Sequence, residues 1–259
     1  MALITLITDW SQGDYYVGSL KGRIYSLYPE VSIVDIANNI PHYKKTIRTA
    51  FILQNTYINF PKGTVHMLCI NSESTNNIPH IAIFHDGHYF IGSDNGIFSL
   101  ALGNKINGTI IKIENTKDTL FPEVDVFAEA AVFLAKGGDI NQLGPRYDSI
   151  KNISMLLPTI DNNAINGSII YIDSYGNGIT NISYDLFEKV RKHRDYEILI
   201  KSNFYKINCI HTHYYEVEGG ELFAVFNSLK LLEIGISYGN MANQLNLNIE
   251  DIVRIKFID

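Results

Sequence analysis

Two cysteines in 259 residues are too few for a disulfide framework, and Cys69 and Cys209 each fall in an apolar, strand-like run. Both are expected to be buried free thiols in a reducing compartment. No run of about 18 apolar residues occurs, so no membrane-spanning helix is expected. The segment from Met1 to Asp9 has neither a basic cluster nor a cleavage pattern and does not read as a signal peptide. These absences together point to the cytoplasm. Positive charge is also scarce, and a net charge of −6 argues against nucleic acid as a partner. The one basic run, Lys189-Val190-Arg191-Lys192-His193-Arg194, closes a helix-like segment, where cations suit the negative helix end. No Gly-x-Gly-x-x-Gly follows the first strand and no P-loop lysine motif is present, which removes support for the common dinucleotide and triphosphate folds. A Gly-x-Ser-x-Gly elbow and a catalytic-cysteine signature are missing too. His211-Thr212-His213 lacks a third and fourth ligand nearby and reads as exposed strand; His85 and His88 flank a turn and read as surface residues. Neither a metal nor a cofactor is expected.

What remains is ordinary globular composition, 46% hydrophobic and 19% charged, enough for one large domain or two modest ones. Strands are expected at 3–8, 31–35 and 64–70, and helices at 14–28 and 44–60. Residues 81–91 read as a hairpin turning at Asp86-Gly87, a pair suited to a type I′ turn. A helix at 125–135 ends at Gly137-Gly138. Strands interleaved with helices make residues 1–157 an α/β domain, a mostly parallel sheet flanked by helices. Residues 158–167, polar and turn-rich, are expected to form a linker. Beyond it, residues 168–259 are dominated by short strands with one helix near 184–192, the pattern of a small β-barrel domain.

Two turns carry more chemistry than turns need. Asp173-Ser174-Tyr175-Gly176-Asn177-Gly178 joins apolar strands but adds a carboxylate and an aromatic ring to the usual glycine and asparagine. Thr8-Asp9-Trp10 closes the first strand with the same pairing of acid and ring. One such turn in each half suggests a flat, polar ligand clamped between two domains.

The motifs occur in a recognisable order. They run Thr8-Asp9-Trp10-Ser11 with Asp14-Tyr15-Tyr16-Val17-Gly18, Val34-Asp35-Ile36 with Ile40-Pro41, Gly92-Ser93-Asp94-Asn95-Gly96, the Asp173 turn with Thr180-Asn181-Ile182, and Leu232-Glu233-Ile234 with Gly239-Asn240-Met241-Ala242. In this order, from end to end, the chain resembles the S-adenosyl-L-methionine hydroxide adenosyltransferase family, which also contains the fluorinases and chlorinases. The resemblance implies an α/β domain joined to a C-terminal β-barrel. It also implies a homotrimer whose ligand lies between one subunit's first domain and its neighbour's second. The implied reaction is attack at C5′ of S-adenosylmethionine with expulsion of methionine, the sulfonium compound being substrate and no cofactor being needed. By the same resemblance Asp9 accepts the ribose hydroxyls and Tyr43 faces the ligand. Asp173 and Asn177 hold the amino and carboxylate ends of methionine. Tyr175 walls the site, Ser228 contacts the methionine carboxylate, and Tyr238 offers backbone groups to the adenine edge. Read alone, Asp9 also suits a strand-end cap, Tyr43 a packing tyrosine, and the Asp173 turn a polar hairpin.

The chain departs from the family at the nucleophile. The hydroxide-using members carry an aspartate, an arginine and a histidine implicated in handling water. Here the aspartate position is Asn71, the histidine position is Pro122, and no arginine stands nearby. Asn71, Ser72 and Ser74 are left as the polar groups expected at the nucleophile pole. Glu73, Glu123 and His80 are candidates for a replacement base, and Glu73 argues against a halide. Besides hydrolysis, two further readings stand: a weak or inactive binder of S-adenosylmethionine or adenosine, and a trimeric scaffold that has lost its ligand.

Overall fold

The computed structural model of the protein describes every residue except Met1, Gln12, Tyr43, Asn76, Asn104, Lys105, Thr116, Lys117, Asn162, Ser202, Asn203, Phe204 and Asp259. It forms two compact units, Met1–Ser154 and Met155–Asp259.

In the first unit, β1 (Leu3–Thr8), α1 (Tyr15–Leu27), β2 (Ser32–Ala37), α2 (Lys45–Thr56) and β3 (Val65–Cys69) alternate. They are followed by β4 (His80–His85), β5 (His88–Ser93), α3 (Ile97–Leu102), β6 (Gly108–Lys112) and α4 (Ala128–Ala135). The sheet order is β2-β1-β3-β5-β4-β6. β2, β1, β3 and β5 run parallel, while β4 and β6 add antiparallel strands at one side. β3 is buried along its whole length, as a strand covered on both faces must be. The α1 helix meets the sheet through Val17, Leu20 and Ile24, one stripe at helical spacing. The small residues Ala128, Ala130 and Ala131 let α4 lie close to the sheet. The expected hairpin forms, with Asp86 at φ 48° and Gly87 at φ 77°, the left-handed pair that a type I′ turn requires.

The second unit contains β7 (Thr159–Asp161), β8 (Ala164–Ile172), β9 (Gly178–Ser183), α5 (Tyr184–Arg191), β10 (Asp195–Ile200) and β11 (Tyr205–Ile207). Then come β12 (Leu222–Phe226), β13 (Leu231–Ile236), α6 (Met241–Gln244) and β14 (Ile252–Ile258). One antiparallel sheet runs β11-β10-β14-β8-β9-β13-β12, and a bridge from His211 to Val225 draws its two ends together into a nearly closed barrel. On β14, Val253, Ile255 and Phe257 point inward and Arg254 and Lys256 outward, the period of two that a one-sided sheet demands. The basic end of α5 is tied down by its rings: Arg191 lies 5.0 Å from the Tyr196 ring centroid and Arg194 4.8 Å from that of Phe257. Among the described residues no helix is long and apolar enough to cross a membrane.

Three local expectations are corrected. The segment 158–167 is not a free linker: it contains β7 and the start of β8, paired Asp161 to Ala164, because its polar residues form a hairpin turn. Cys69 is buried but Cys209 is exposed, since β11 stops at Ile207 and the cysteine lies beyond the sheet. His88 is fully buried rather than on the surface, because it begins β5 on the face covered by Tyr57.

His88 belongs to a buried chain of polar groups. The Thr5 hydroxyl lies 2.7 Å from Nδ1 of His66, whose Nε2 is 3.3 Å from Nδ1 of His88. Burial, and then the neighbouring His88, hold the His66 imidazole down to a pKa of about 3. His66 is therefore neutral in the fold but protonated below about 6.5 when unfolded. Its contribution is complete above that value and is lost as pH falls from 6.5 toward 3. Between pH 7.5 and 5, above the range of ordinary carboxylates, His66 alone is expected to remove about 2 kcal/mol of stability. Urea unfolding across that window should show the fall, and His66→Gln should flatten it. An unchanged slope in the variant would place the titration elsewhere.

Candidate active site

In open α/β sheets, ligands settle at the carboxyl ends of parallel strands. Here the chain leaving β1 supplies Asp9 and Trp10, that leaving β3 supplies Asn71 and Ser72, and that leaving β5 supplies Asn95. All line one cavity of about 1040 Å3 in the first unit. Its apolar wall is an aromatic cluster. Trp10 stands 5.6 Å from Tyr16 and 5.5 Å from Phe121 by ring centroids, the latter edge to face.

Asp9 is fixed by a residue that the sequence did not bring to notice. The Lys45 ammonium, itself buried, donates to Asp9 Oδ2 at 2.8 Å. A carboxylate has about four acceptor positions on its two oxygens, so the pair still leaves Asp9 able to receive hydroxyls. A lysine at a helix start ordinarily reads as solvated, which is why Lys45 gave no signal. The Gly92-to-Gly96 motif supports the rim. Asp94 accepts the Lys151 backbone N–H at 2.9 Å on each oxygen and the Tyr147 hydroxyl at 3.2 Å, while the Asn95 amide donates to Ile70 O at 2.8 Å. Burial raises the Asp94 carboxyl above its ordinary value, and those hydrogen bonds oppose the rise.

Asn71 is exposed at φ 48°, while Ser72 beside it is buried. His80 is spoken for: its Nε2 donates to the Ser72 carbonyl at 2.7 Å, its ring edges against Phe127, and burial lowers its pKa. Glu73 is exposed at the rim, whereas Glu123 is a buried wall of the same cavity. Burial raises the Glu123 carboxyl, the neighbouring Ser72 hydroxyl opposes that, and Asp9 adds a further upward push. Pro122 precedes it at the start of a turn in which Ala128 N–H bonds back five residues to Glu123 O. Such wide π-type turns recur at functional sites. Ser74 does not share this cavity; it lines a neighbouring groove with Pro79 and His80. Tyr43 lies outside the described residues.

The second unit carries a cavity of about 730 Å3 lined by Asp173, Tyr175, Asn177, Tyr214, Glu233 and Tyr238. Asp173 Oδ1 accepts the backbone N–H groups of Tyr175 at 3.0 Å and Asn177 at 2.8 Å, so the carboxylate also shapes its own turn. Tyr175 and Tyr238 are exposed. Asn177 is buried over Gly235, where a Cβ would meet its Oδ1 at 2.2 Å, so only glycine fits. The hub is Glu233, which was not among the expected site residues. Its Oε1 accepts the Asn177 amide at 3.2 Å and the Tyr214 hydroxyl at 3.1 Å, and its Oε2 accepts the Asn227 amide at 3.0 Å. Burial, and then the Glu233 charge, push the Tyr214 hydroxyl up to about 12, which keeps it a donor. Ser228 lines an adjoining cavity of about 450 Å3 that Tyr214 and Glu233 also wall. Among the described residues no group of three or more His, Cys, Asp or Glu side chains is placed to hold a metal.

Residues 4–144 match the family model described as the SAM hydroxide adenosyltransferase N-terminal domain, and residues 167–254 match that of the C-terminal domain. The chain is 28% identical to the (R)-S-adenosyl-L-methionine hydrolase of Methanocaldococcus jannaschii, with 98% of this chain and 95% of that protein covered. It is 20% identical to the (R)-S-adenosyl-L-methionine hydrolase of Salinispora tropica, with 97% of each covered. An uncharacterized conserved protein from Thermotoga maritima has the same fold, with a TM-score of 0.87 at 24% identity over 98% of this chain and 99% of that one.

Proposed function

The chain belongs to the SAM hydroxide adenosyltransferase family, and from that premise we propose that it hydrolyses S-adenosyl-L-methionine to adenosine and L-methionine. The observation that carries the reading is the cavity of the first unit, which sets Asp9, a ring wall and the polar Asn71–Ser72 corner around one space. Asp9 takes the ribose hydroxyls there, and the Asn71–Ser72 corner holds water for attack at C5′. The Asp173 turn and Asn177 receive the methionine end, with Tyr175 as wall, Ser228 as a carboxylate contact and the Tyr238 backbone at the adenine edge. Tyr43 is the further aromatic contact. The protein acts as a homotrimer in which one subunit's first unit and its neighbour's second supply the two halves. The work is done in the cytoplasm and without a cofactor.

A sulfonium leaving group needs no protonation, and positioning alone contributes several kcal/mol to such a displacement. Turnover without the family's aspartate, arginine and histidine is therefore chemically reasonable, though slow. The test is incubation of the purified protein with each sulfonium epimer of S-adenosylmethionine, with and without chloride. Adenosine, 5′-chloroadenosine and methionine are then separated by chromatography, and binding is measured calorimetrically on the same sample. Adenosine and methionine in equal amounts above background are expected, with no chloride-dependent product. Binding without product would make the protein a receptor for the same ligand. Light scattering should give three times the chain mass, and a stable monomer would remove the shared site.

A further inference from the structure

We propose that Glu123 is the proton acceptor for the attacking water in this chain, in place of the three water-handling groups it lacks. The inference rests on the hydrolase reading above and deepens it.

Three residues, His80, Glu73 and Glu123, are the candidates for a replacement base, and geometry separates them. His80 is committed to the Ser72 carbonyl and packed on Phe127. Glu73 is exposed at the rim, open to bulk solvent. Glu123 is 6% exposed, walls the cavity with Asp9, Asn71 and Ser72, and has no lysine or arginine paired with it among the described residues. A buried carboxylate without a cation is costly, and a fold keeps one where it serves a purpose. The groups facing it come from several elements. Asp9 at the end of β1 repels it, the buried Ser72 hydroxyl after β3 is its polar neighbour, and the Cys69 thiol lies within reach of its charge. Burial pushes that thiol far up, so Cys69 stays protonated and does not compete as a base.

The step balances simply. The water oxygen forms a bond to C5′ as the C5′–S bond breaks, and that electron pair passes to sulfur, turning the sulfonium into the neutral thioether of methionine. The water proton passes to the Glu123 carboxylate and then to solvent. Burial and Asp9 raise the basicity of Glu123 toward the working pH, which suits general-base catalysis, while the neighbouring Ser72 hydroxyl favours the ionised form. A negative wall also excludes halide from the same corner.

The test compares wild type with Glu123→Gln, Glu123→Asp and Ser72→Ala, reading kcat, KM, calorimetric affinity and the pH profile. Glu123→Gln should lower kcat by roughly 100-fold or more, change affinity by less than about 3-fold, and erase the acid limb of the kcat profile. Glu123→Asp should recover part of the rate. Ser72→Ala, which keeps the carboxylate but removes the neighbouring hydroxyl that favours its ionised form, should move the acid limb to higher pH, and it serves as the readout if Glu123→Gln does not fold. A Glu123→Gln enzyme with wild-type kcat and acid limb would overturn the assignment while leaving the hydrolase reading intact. Loss of affinity at unchanged kcat would mean that Glu123 contacts the sulfonium and is not the base. A wild-type protein that binds but releases no adenosine would overturn both.

Discussion

Asp9→Ala is expected to weaken binding of S-adenosylmethionine and of adenosine by at least roughly 100-fold, about 3 kcal/mol, because a charged acceptor for two hydroxyls disappears. The same change exposes a structural consequence that a simple ligand contact would lack. Lys45 is buried and donates to Asp9 at 2.8 Å, so the variant strands an ammonium in a site with 10% side-chain exposure. Breaking such a pair from one side costs about 3–5 kcal/mol, far more than a surface bridge. Lys45→Met alone leaves Asp9 able to accept hydroxyls, and the double variant Asp9→Ala/Lys45→Met removes the stranded charge. The double variant should therefore recover much of the lost stability and none of the lost affinity. Calorimetry and thermal unfolding on the three proteins separate the two effects, and affinity unchanged in Asp9→Ala would remove the assignment of Asp9 to ribose.

The parts of the fold that were legible in sequence are those whose cause is local. β1 announces itself by an apolar, β-branched run, α1 by one stripe at helical spacing, and the β4–β5 turn by an Asp-Gly pair that both take positive φ. What was not legible depends on cover supplied from elsewhere in the chain. His88 looks like a hairpin-flanking surface residue until Tyr57, thirty-one positions earlier, closes over it. Cys209 sits in an apolar stretch, but the strand ends two residues before it and the thiol is exposed. The polar tract at 158–167 has a linker's composition, yet the same residues are good turn formers and make the β7–β8 hairpin. The site divides in the same way. Asp9 and Asn71 follow strands that the sequence predicts, so their convergence at the carboxyl ends of those strands follows from topology. The burial of Lys45 and Glu123 follows from packing, on which a helix-start lysine or a glutamate after proline gives no advance notice.

Glu233 is the clearest case of a residue made important by distant cover, and it carries the other large expected effect. On β13, Leu232, Ile234 and Ile236 face the barrel interior, so alternation turns Glu233 toward the outside. That outer face is roofed by the segment around Tyr214, whose ring stands edge-on to Phe223 at 5.5 Å. Three donors converge on the covered carboxylate, from Asn177, Tyr214 and Asn227. Glu233→Ala leaves the Tyr214 hydroxyl and the Asn227 amide without this acceptor and the Asn177 amide with only Asp173 Oδ2 at 3.4 Å, and is expected to cost about 3–5 kcal/mol, with a fall in Tm of roughly 10 °C. Glu233→Gln is not benign either. Donors approach both carboxylate oxygens, so one must now face an amide N–H, and about 1–3 kcal/mol is expected to be lost. Tyr214→Phe removes a donor rather than an acceptor and should cost less than about 1.5 kcal/mol. If Asn177 holds the methionine end, Glu233→Gln should also loosen binding of S-adenosylmethionine more than of adenosine, because only the former has that end. Equal losses for the two ligands would show that Glu233 stabilises the barrel and does not position Asn177 for substrate.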